Sequence, residues 1–266
     1  MPLWKWILCL LGGLLIFIFL YGLTQMFVDL PASPWLRMLL SLVAALLGLL
    51  LYAIWTNLTE RRPVMELTLK QAWAHIGLGL LLGILYFGCV VGLMALARCY
   101  TISGAQFNIL SQMEAFLGFL LVAVFEEVIF RGILFRMIDD RWNTVVALIV
   151  SALVFGFMHL PNPGATVWSS FAIAVEAGLL LGAAYKYTGT LWLPIGIHWA
   201  WNYVQGNVLG FAVSGNPVSE KIFSPIITGP DWVTGGVFGA EASVPAVVMG
   251  LLLTAILLFG RKRDAR

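Results

Sequence analysis

From Ile7 to Val28 the chain carries no charged side chain, and comparable apolar runs recur to its end. About 20 apolar residues, at about 1.5 Å each, span the hydrocarbon core of a bilayer as a helix. Inside lipid the backbone finds no water, so such runs must close their hydrogen bonds within the segment. On this rule eight segments stand out, at about 6–28, 36–56, 73–97, 114–136, 143–160, 167–185, 190–211 and 244–260. Composition agrees: 61% of the residues are hydrophobic and 11% charged, where an average soluble domain carries about 25% charged. The expected fold is all-α, a polytopic membrane bundle of about eight transmembrane helices. No internal repeat or low-complexity tract divides it, so residues 1–266 are read as one integral-membrane domain. The first run is longer than a usual signal-peptide core and no clean small-x-small site follows it, so it is read as a retained helix.

Basic residues give an orientation. With the N-terminus inside, the inner segments hold Lys5, Arg61, Arg62, Lys70, Arg131, Arg136, Arg141, Lys186, Arg261, Lys262, Arg263 and Arg266. Only Arg37, Arg98 and Lys221 remain outside. The excess of Lys and Arg on cytoplasmic loops predicts a multi-pass protein of the cell membrane with both termini cytoplasmic. The basic run from Arg261 to Arg266 then serves as an anchor against anionic headgroups. Membrane lipids are the expected surroundings, and a net charge of +2 gives no reason to expect a nucleic-acid partner. Cys9, Cys89 and Cys99 lack metal-ligand spacing and read as free buried thiols.

Against this background a few polar residues are conspicuous. Glu126, Glu127 and Arg131 follow the apolar run from Ala115 to Phe125, and His159, His198 and Asn202 lie in later runs. Each costs a few kcal/mol at bilayer depth, so such groups face a partner or a cavity. Glu127 and Arg131, at i and i+4, are placed to pair, which leaves Glu126 about a quarter-turn away with a carboxylate to offer. His198 and Asn202, again at i and i+4, point the same way. A helical hairpin turning near Asp139–Arg141 brings Glu126 and His159 to similar depth, about 21 and 28 Å from the turn. Counting from Gly189 puts His198 nearer the cytoplasmic end.

This set supports two kinds of hydrolysis. A carboxylate beside an imidazole can take a proton from water, and a His–Asn pair can donate to an oxyanion. Alternatively Glu126, His159 and His198 would bind a zinc-like divalent metal with one position open. Neither a His-Glu-x-x-His helix nor a Gly-x-Ser-x-Gly elbow occurs, which removes the common zinc-protease and serine-hydrolase signatures. His75 reads as an interfacial or packing residue. Glu176 reads either as the partner of a polar group on a neighbouring helix or as an auxiliary site residue, outside the catalytic set. The turn at Pro161–Gly164 separates two helices. The long connection 209–243, rich in Pro, Gly and apolar residues, reads as a lid or a re-entrant piece.

The series Glu126-Glu127-x-x-x-Arg131, Phe155-x-x-x-His159 and His198-x-x-x-Asn202 resembles the three-motif signature of the CPBP intramembrane endopeptidases. This family of CAAX proteases and bacteriocin-processing enzymes is also called the Abi family. The resemblance runs by motif from about Met113 to Asn202 and, less specifically, through Gly229–Ser243, with the motif-bearing core at about 113–211. It implies an intramembrane endopeptidase acting on a membrane-associated peptide or protein. In it Glu126 activates water beside His159, His198 and Asn202 stabilise the oxyanion, and Glu127 and Arg131 support them. The residue types suit a glutamate-dependent and a metal-dependent protease equally. The family's prenylated substrates are not implied, since the motifs report chemistry rather than specificity. Two other classes compete: a proton-coupled transporter, for which no inverted repeat is visible, and a non-catalytic membrane protein that binds a partner.

Overall fold

The longest apolar runs become the longest helices. In the computed structural model, which describes residues 1–28 and 30–260, α1 spans Leu3–Val28, α2 Pro34–Glu60 and α3 Ala72–Leu96. These three and the continuous helical stretch Val167–Thr188 are long and apolar enough, by length and composition, to cross a membrane. Thr144–Phe157 (α6) and Val244–Phe259 (α11) are apolar but shorter. The chain is therefore a multi-pass membrane protein, while the sequence's count of eight crossings goes further than these helix lengths. The basic run Arg261–Arg266 lies outside the described residues.

Helix boundaries follow local chemistry. Ser33 caps α2 by accepting from the Leu36 amide at 3.3 Å, and Pro34 takes the first helical position, where its missing N–H costs nothing. Asn108 caps α4 (Ile109–Glu127) through the amides of Leu110 and Ser111. Three stretches depart from α geometry into wider π turns: Val128–Phe135 after α4, Ala174–Gly178 between α7 (Val167–Ile173) and α8 (Leu179–Thr188), and Val204–Val208 after α9 (Trp192–Tyr203). A short α5 (Arg136–Arg141) completes the first of these runs, and α10 is the single turn Asp231–Thr234. Such turns gather at functional sites, and all three lie close to the polar residues singled out above.

The bundle has an inside and a rim. In α1, α2 and α3 only 22%, 28% and 33% of the most apolar window is buried within the protein, against 72% for Val167–Thr188. The first three therefore present much of their apolar surface outward, as lipid-facing helices do, while the last is core. The most extensive helix crossing is that of α3 on α9. A Cβ added at Gly79 would lie 2.6 Å from the Leu193 carbonyl oxygen, and one at Gly83 2.6 Å from that of Ile197. Only glycine allows this backbone contact, the small-residue packing that holds helices together in lipid. It fixes the helix that carries His198.

Contacts define two ends. At one, Arg141 donates to the Met1 carbonyl, Trp6 to that of Met137, Trp192 to that of Thr68, and Lys186 pairs with Asp139. At the other, Cys99, Gln106, Asn162 and Trp168 bond the 207–243 segment. Here the all-α expectation needs correction. Tyr100–Ala105 (β1) and Phe223–Ile227 (β2) form a two-stranded antiparallel sheet, Tyr100 opposite Ile227, with a register shift between Ile102 and Gly104. Pro225 denies β2 a helix, and β-branched Thr101 and Ile102 suit a strand. The connection 209–243 is packed against the bundle, Phe211 stacking on Tyr100 at 5.5 Å and Phe238 buried.

Candidate active site

Glu127 closes α4 as the helix widens into its π turn, and neither its side chain nor that of Arg131 is exposed. The expected pair is formed, Arg131 Nη1 donating to Glu127 Oε1 at 2.8 Å. Arg131 also reaches the Gly178 carbonyl at 3.2 Å and lies 4.6 Å from the centroid of the Phe155 ring. Those contacts add a charge-assisted hydrogen bond and a cation–π interaction to the pair. One guanidinium thus ties the first motif to the π turn at Ala174–Gly178 and to the Phe of the second motif.

The same Glu127 oxygen holds His198, whose Nδ1 lies 2.9 Å away. A carboxylate can only accept, so Nδ1 is assigned the proton. The ring's other nitrogen, Nε2, then faces Glu126 Oε2 at 3.7 Å. That separation is longer than a hydrogen bond, and short enough for one small group to touch both. Glu126 Oε1 receives the Tyr21 hydroxyl at 3.4 Å. His159 is held differently: its Nδ1 donates to the Phe155 carbonyl at 2.8 Å, which leaves Nε2 as an acceptor.

Glu126, His159, His198 and Asn202 all line one cavity of about 560 Å³, with Tyr21 from α1 and Ser214 from the long connection. Two placements differ from the sequence reading. His159 lies beyond the end of α6 at Phe157, on the turn that follows, rather than within the helix. The imidazole nitrogen set against Glu126 belongs to His198. Its depth has a plain cause. Thr190, Leu191 and Leu193 are buried, and the Leu191 amide bonds the Glu66 carbonyl at 2.9 Å. The 3₁₀ turn Met65–Leu67 therefore covers the start of α9, which begins inside the bundle and not at its surface.

Several residues near the site were not found from sequence. Tyr21 is a single phenol in an apolar helix and carries no spacing signal. Glu241 is a lone acid in the long connection. It accepts the Ser214 amide at 2.6 Å and the Ser214 hydroxyl at 3.2 Å, while Asn162 donates to the Ser214 carbonyl at 2.8 Å. Ser214 is thereby clamped over the cavity, and a small void lined by His159, His198 and Asn202 separates the site from Glu241. Burial holds the Glu241 carboxyl above its usual range, against the opposing pull of the hydrogen bonds from Ser214.

Residues set aside from the catalytic set are accounted for. The Tyr86 hydroxyl meets the Glu176 carboxyl, so Glu176 is partnered from a neighbouring helix, and His75 Nδ1 lies 3.0 Å from the Thr190 hydroxyl. Cys9 and Cys99 are buried free thiols, and Cys89 is a free thiol on the exposed side of its helix, where the sequence reading had it buried. As for a metal, among the described residues no three His, Cys, Asp or Glu side chains are grouped to hold one. Glu126, His159 and His198 share a cavity wall without making such a set.

Residues 108–204 match a family model described as type II CAAX prenyl endopeptidase, Rce1-like. The matched stretch contains all three motifs and agrees with the resemblance they carry. The uncharacterized protein YpbD of Bacillus subtilis (strain 168) is 32% identical over 79 residues, which are 30% of this chain. That similarity spans 36% of the length of the curated relative.

Proposed function

We propose that this chain is an intramembrane endopeptidase that hydrolyses a peptide bond of a membrane-associated protein or peptide, with water as nucleophile. The observation that carries the reading is the row Arg131–Glu127–His198–Glu126, whose last member opens on the cavity. Two carboxylates face one guanidinium and one imidazole, and in the proposed reaction the His198 ring is the donor at Nε2.

In the proposed reaction Glu126 takes a proton from water, and the oxygen attacks the scissile carbonyl carbon. The carbonyl electron pair moves to oxygen, where His198 Nε2–H and the Asn202 amide donate to the oxyanion. His159, whose Nε2 is an acceptor, orients the water. Collapse breaks the C–N bond, and Glu126 passes its proton to the leaving amine. One water is consumed, and an acid and an amine are released. Glu127 and Arg131 fix the His198 ring and touch no reacting atom. No step is routed through a metal.

The test is cleavage of a mixed peptide library by the purified protein in detergent, with Glu126→Gln as control. Products that appear with wild type and vanish with the variant support the reading. Equal products from both, or none from folded protein, reject it, the latter in favour of a non-catalytic role.

A further inference from the structure

We propose that the site opens on the extracytoplasmic face of the membrane, and that its substrate is the outward juxtamembrane segment of a membrane-anchored protein or peptide. The second half rests on the endopeptidase reading; the first does not.

Two independent observations meet here. The first is where the cavity lies along each helix. On α1 its wall is formed by Ile18, Tyr21 and Gln25, towards the Val28 end, and on the α6 side by residues that follow Phe157. It adjoins a second cavity of about 560 Å³, which shares Gln25, Phe119, Pro217 and Val218 and runs out past Val28, Pro34, Ser111 and Ser219. Those residues stand at the end of α1 and the starts of α2 and α4, beside the 209–243 connection. Among the described residues, none from the end of the bundle where Met1, Thr68, Asp139 and Lys186 meet lines either cavity. Among the described residues the path to Glu126 therefore leads from the Val28 end.

The second observation is charge. At the closed end lie Lys5, Arg61, Arg62, Lys70, Arg136, Arg141 and Lys186, seven basic residues among those described. The open end has three, Arg37, Arg98 and Lys221, and Arg37 is paired with Glu114 at 2.5 Å on the groove wall. Lys and Arg near helix ends accumulate on the cytoplasmic side. The closed end is thus cytoplasmic, and the groove faces out.

The dimensions limit what can be cut. Tyr21, which touches Glu126, stands seven residues before the end of α1 at Val28. That is about 10 Å along a helix axis, a distance bridged by about three extended residues. A chain entering from the outer face reaches the carboxylate after a few residues, so the scissile bond belongs next to a membrane anchor and not deep in a span. The inner wall is largely apolar (Ile18, Phe119, Val122, Met158) while Ser111, Glu114 and Glu220 line the outer groove. An extended segment with apolar residues at the cut and polar ones outside fits that gradient.

Orientation is read without catalysis. In a background with Cys9, Cys89 and Cys99 replaced by Ser, Ser219→Cys is placed on the groove rim and Arg61→Cys at the closed end, both exposed positions. Intact bacteria expressing each variant are treated with a membrane-impermeant maleimide. Labelling of Ser219→Cys in intact cells, and of Arg61→Cys only after permeabilisation, is the expected result; the reverse overturns the proposal. Should the cysteine-free background fail to accumulate, fusions of the otherwise unaltered chain after Arg266 decide. A fluorescent cytoplasmic reporter is expected to be bright and an alkaline phosphatase reporter inactive, and the opposite outcome refutes the orientation. The substrate half is tested with single-span reporters carrying a library-derived cleavable sequence just outside or just inside the membrane, co-expressed with wild type or Glu126→Gln. Glu126-dependent cleavage of the outer reporter alone is expected. Cleavage of the inner one alone overturns the substrate assignment. Cleavage of neither, with the labelling as expected, rejects the endopeptidase reading and leaves the orientation standing.

Discussion

Among the described residues Arg131 and His198 are the groups within ion-pair reach of Glu127, and replacing Arg131 with methionine removes the guanidinium at a site with no exposure. Methionine keeps much of the length and can still pack on Phe155, so the change is chiefly electrostatic. Removing one partner of a buried pair costs about 3–5 kcal/mol, because the other charge stays buried without compensation. At about 1.4 kcal/mol per tenfold, that is a loss of roughly two to three and a half decades in the folded-to-unfolded ratio, from a total that for most domains is only about 5–15 kcal/mol. The bonds from Arg131 to Gly178 and to the Phe155 face are lost as well. Arg131→Met should therefore show a sharply lower folded yield on size exclusion in detergent and a lower melting temperature. Adding Glu127→Gln should restore much of the yield, since it discharges the stranded carboxylate, but not the turnover, since His198 loses its anchor. A single variant that keeps yield and melting temperature while losing only turnover would refute this assignment and move Arg131 among the chemical groups.

Three further outcomes follow from particular contacts. His198→Ala should lower turnover per folded molecule by about a hundredfold or more through the lost oxyanion donor, with little change in a KM set by the groove; unchanged turnover would remove His198 from the reaction. Glu66 lies in the connection between α2 and α3, where burial alone would raise its pKa, but the Arg62 ion pair and the Tyr52 hydroxyl outweigh burial and hold it below the usual carboxylate range. Its stabilising contribution is therefore complete above the unfolded value of about 4.3 and is lost as pH falls through the lower folded value. The melting temperature should drop in that acidic window for wild type, and Glu66→Gln should flatten the drop; a parallel pair of curves would count against it. Finally, Gly83→Leu forces a side chain into the Ile197 carbonyl, where even a Cβ has only 2.6 Å. Loss of folded protein is expected, and a well-folded, active variant would mean that α3 and α9 do not cross there.

Much of this was legible in the chain, for identifiable reasons. Runs such as Ile7–Val28 declare helices because lipid admits few other backbones, and the spacing of Glu127 and Arg131 declares a pair because four residues bring side chains onto one face. The cost of a polar side chain in lipid was enough to gather Glu126, His159, His198 and Asn202 into one cavity. What stayed hidden depends on tertiary context. The π turns leave no mark in a sequence that is apolar on every face, as around Val128–Phe135. The level of His198 depends on a buried start to α9, which is set by a carbonyl of Glu66 far away in the chain. The strand at Tyr100–Ala105 is short and pairs across more than a hundred residues, so it had no local signal of its own. Tyr21 and Glu241 are isolated polar residues, and only folding shows what each touches.

The most direct measurement is the rate of peptide-bond cleavage by purified wild-type protein and by Glu126→Gln of matched folded yield, each with and without a chelator. The glutamine keeps the size and the hydrogen bond from Tyr21 but cannot accept the proton of water. Turnover should fall by at least about a hundredfold, while wild-type activity should survive chelation. Activity lost on chelation and restored by zinc would replace the metal-free reaction with a metal-dependent one at the same cavity. Cleavage that proceeds at the wild-type rate without Glu126 would contradict the central claim outright.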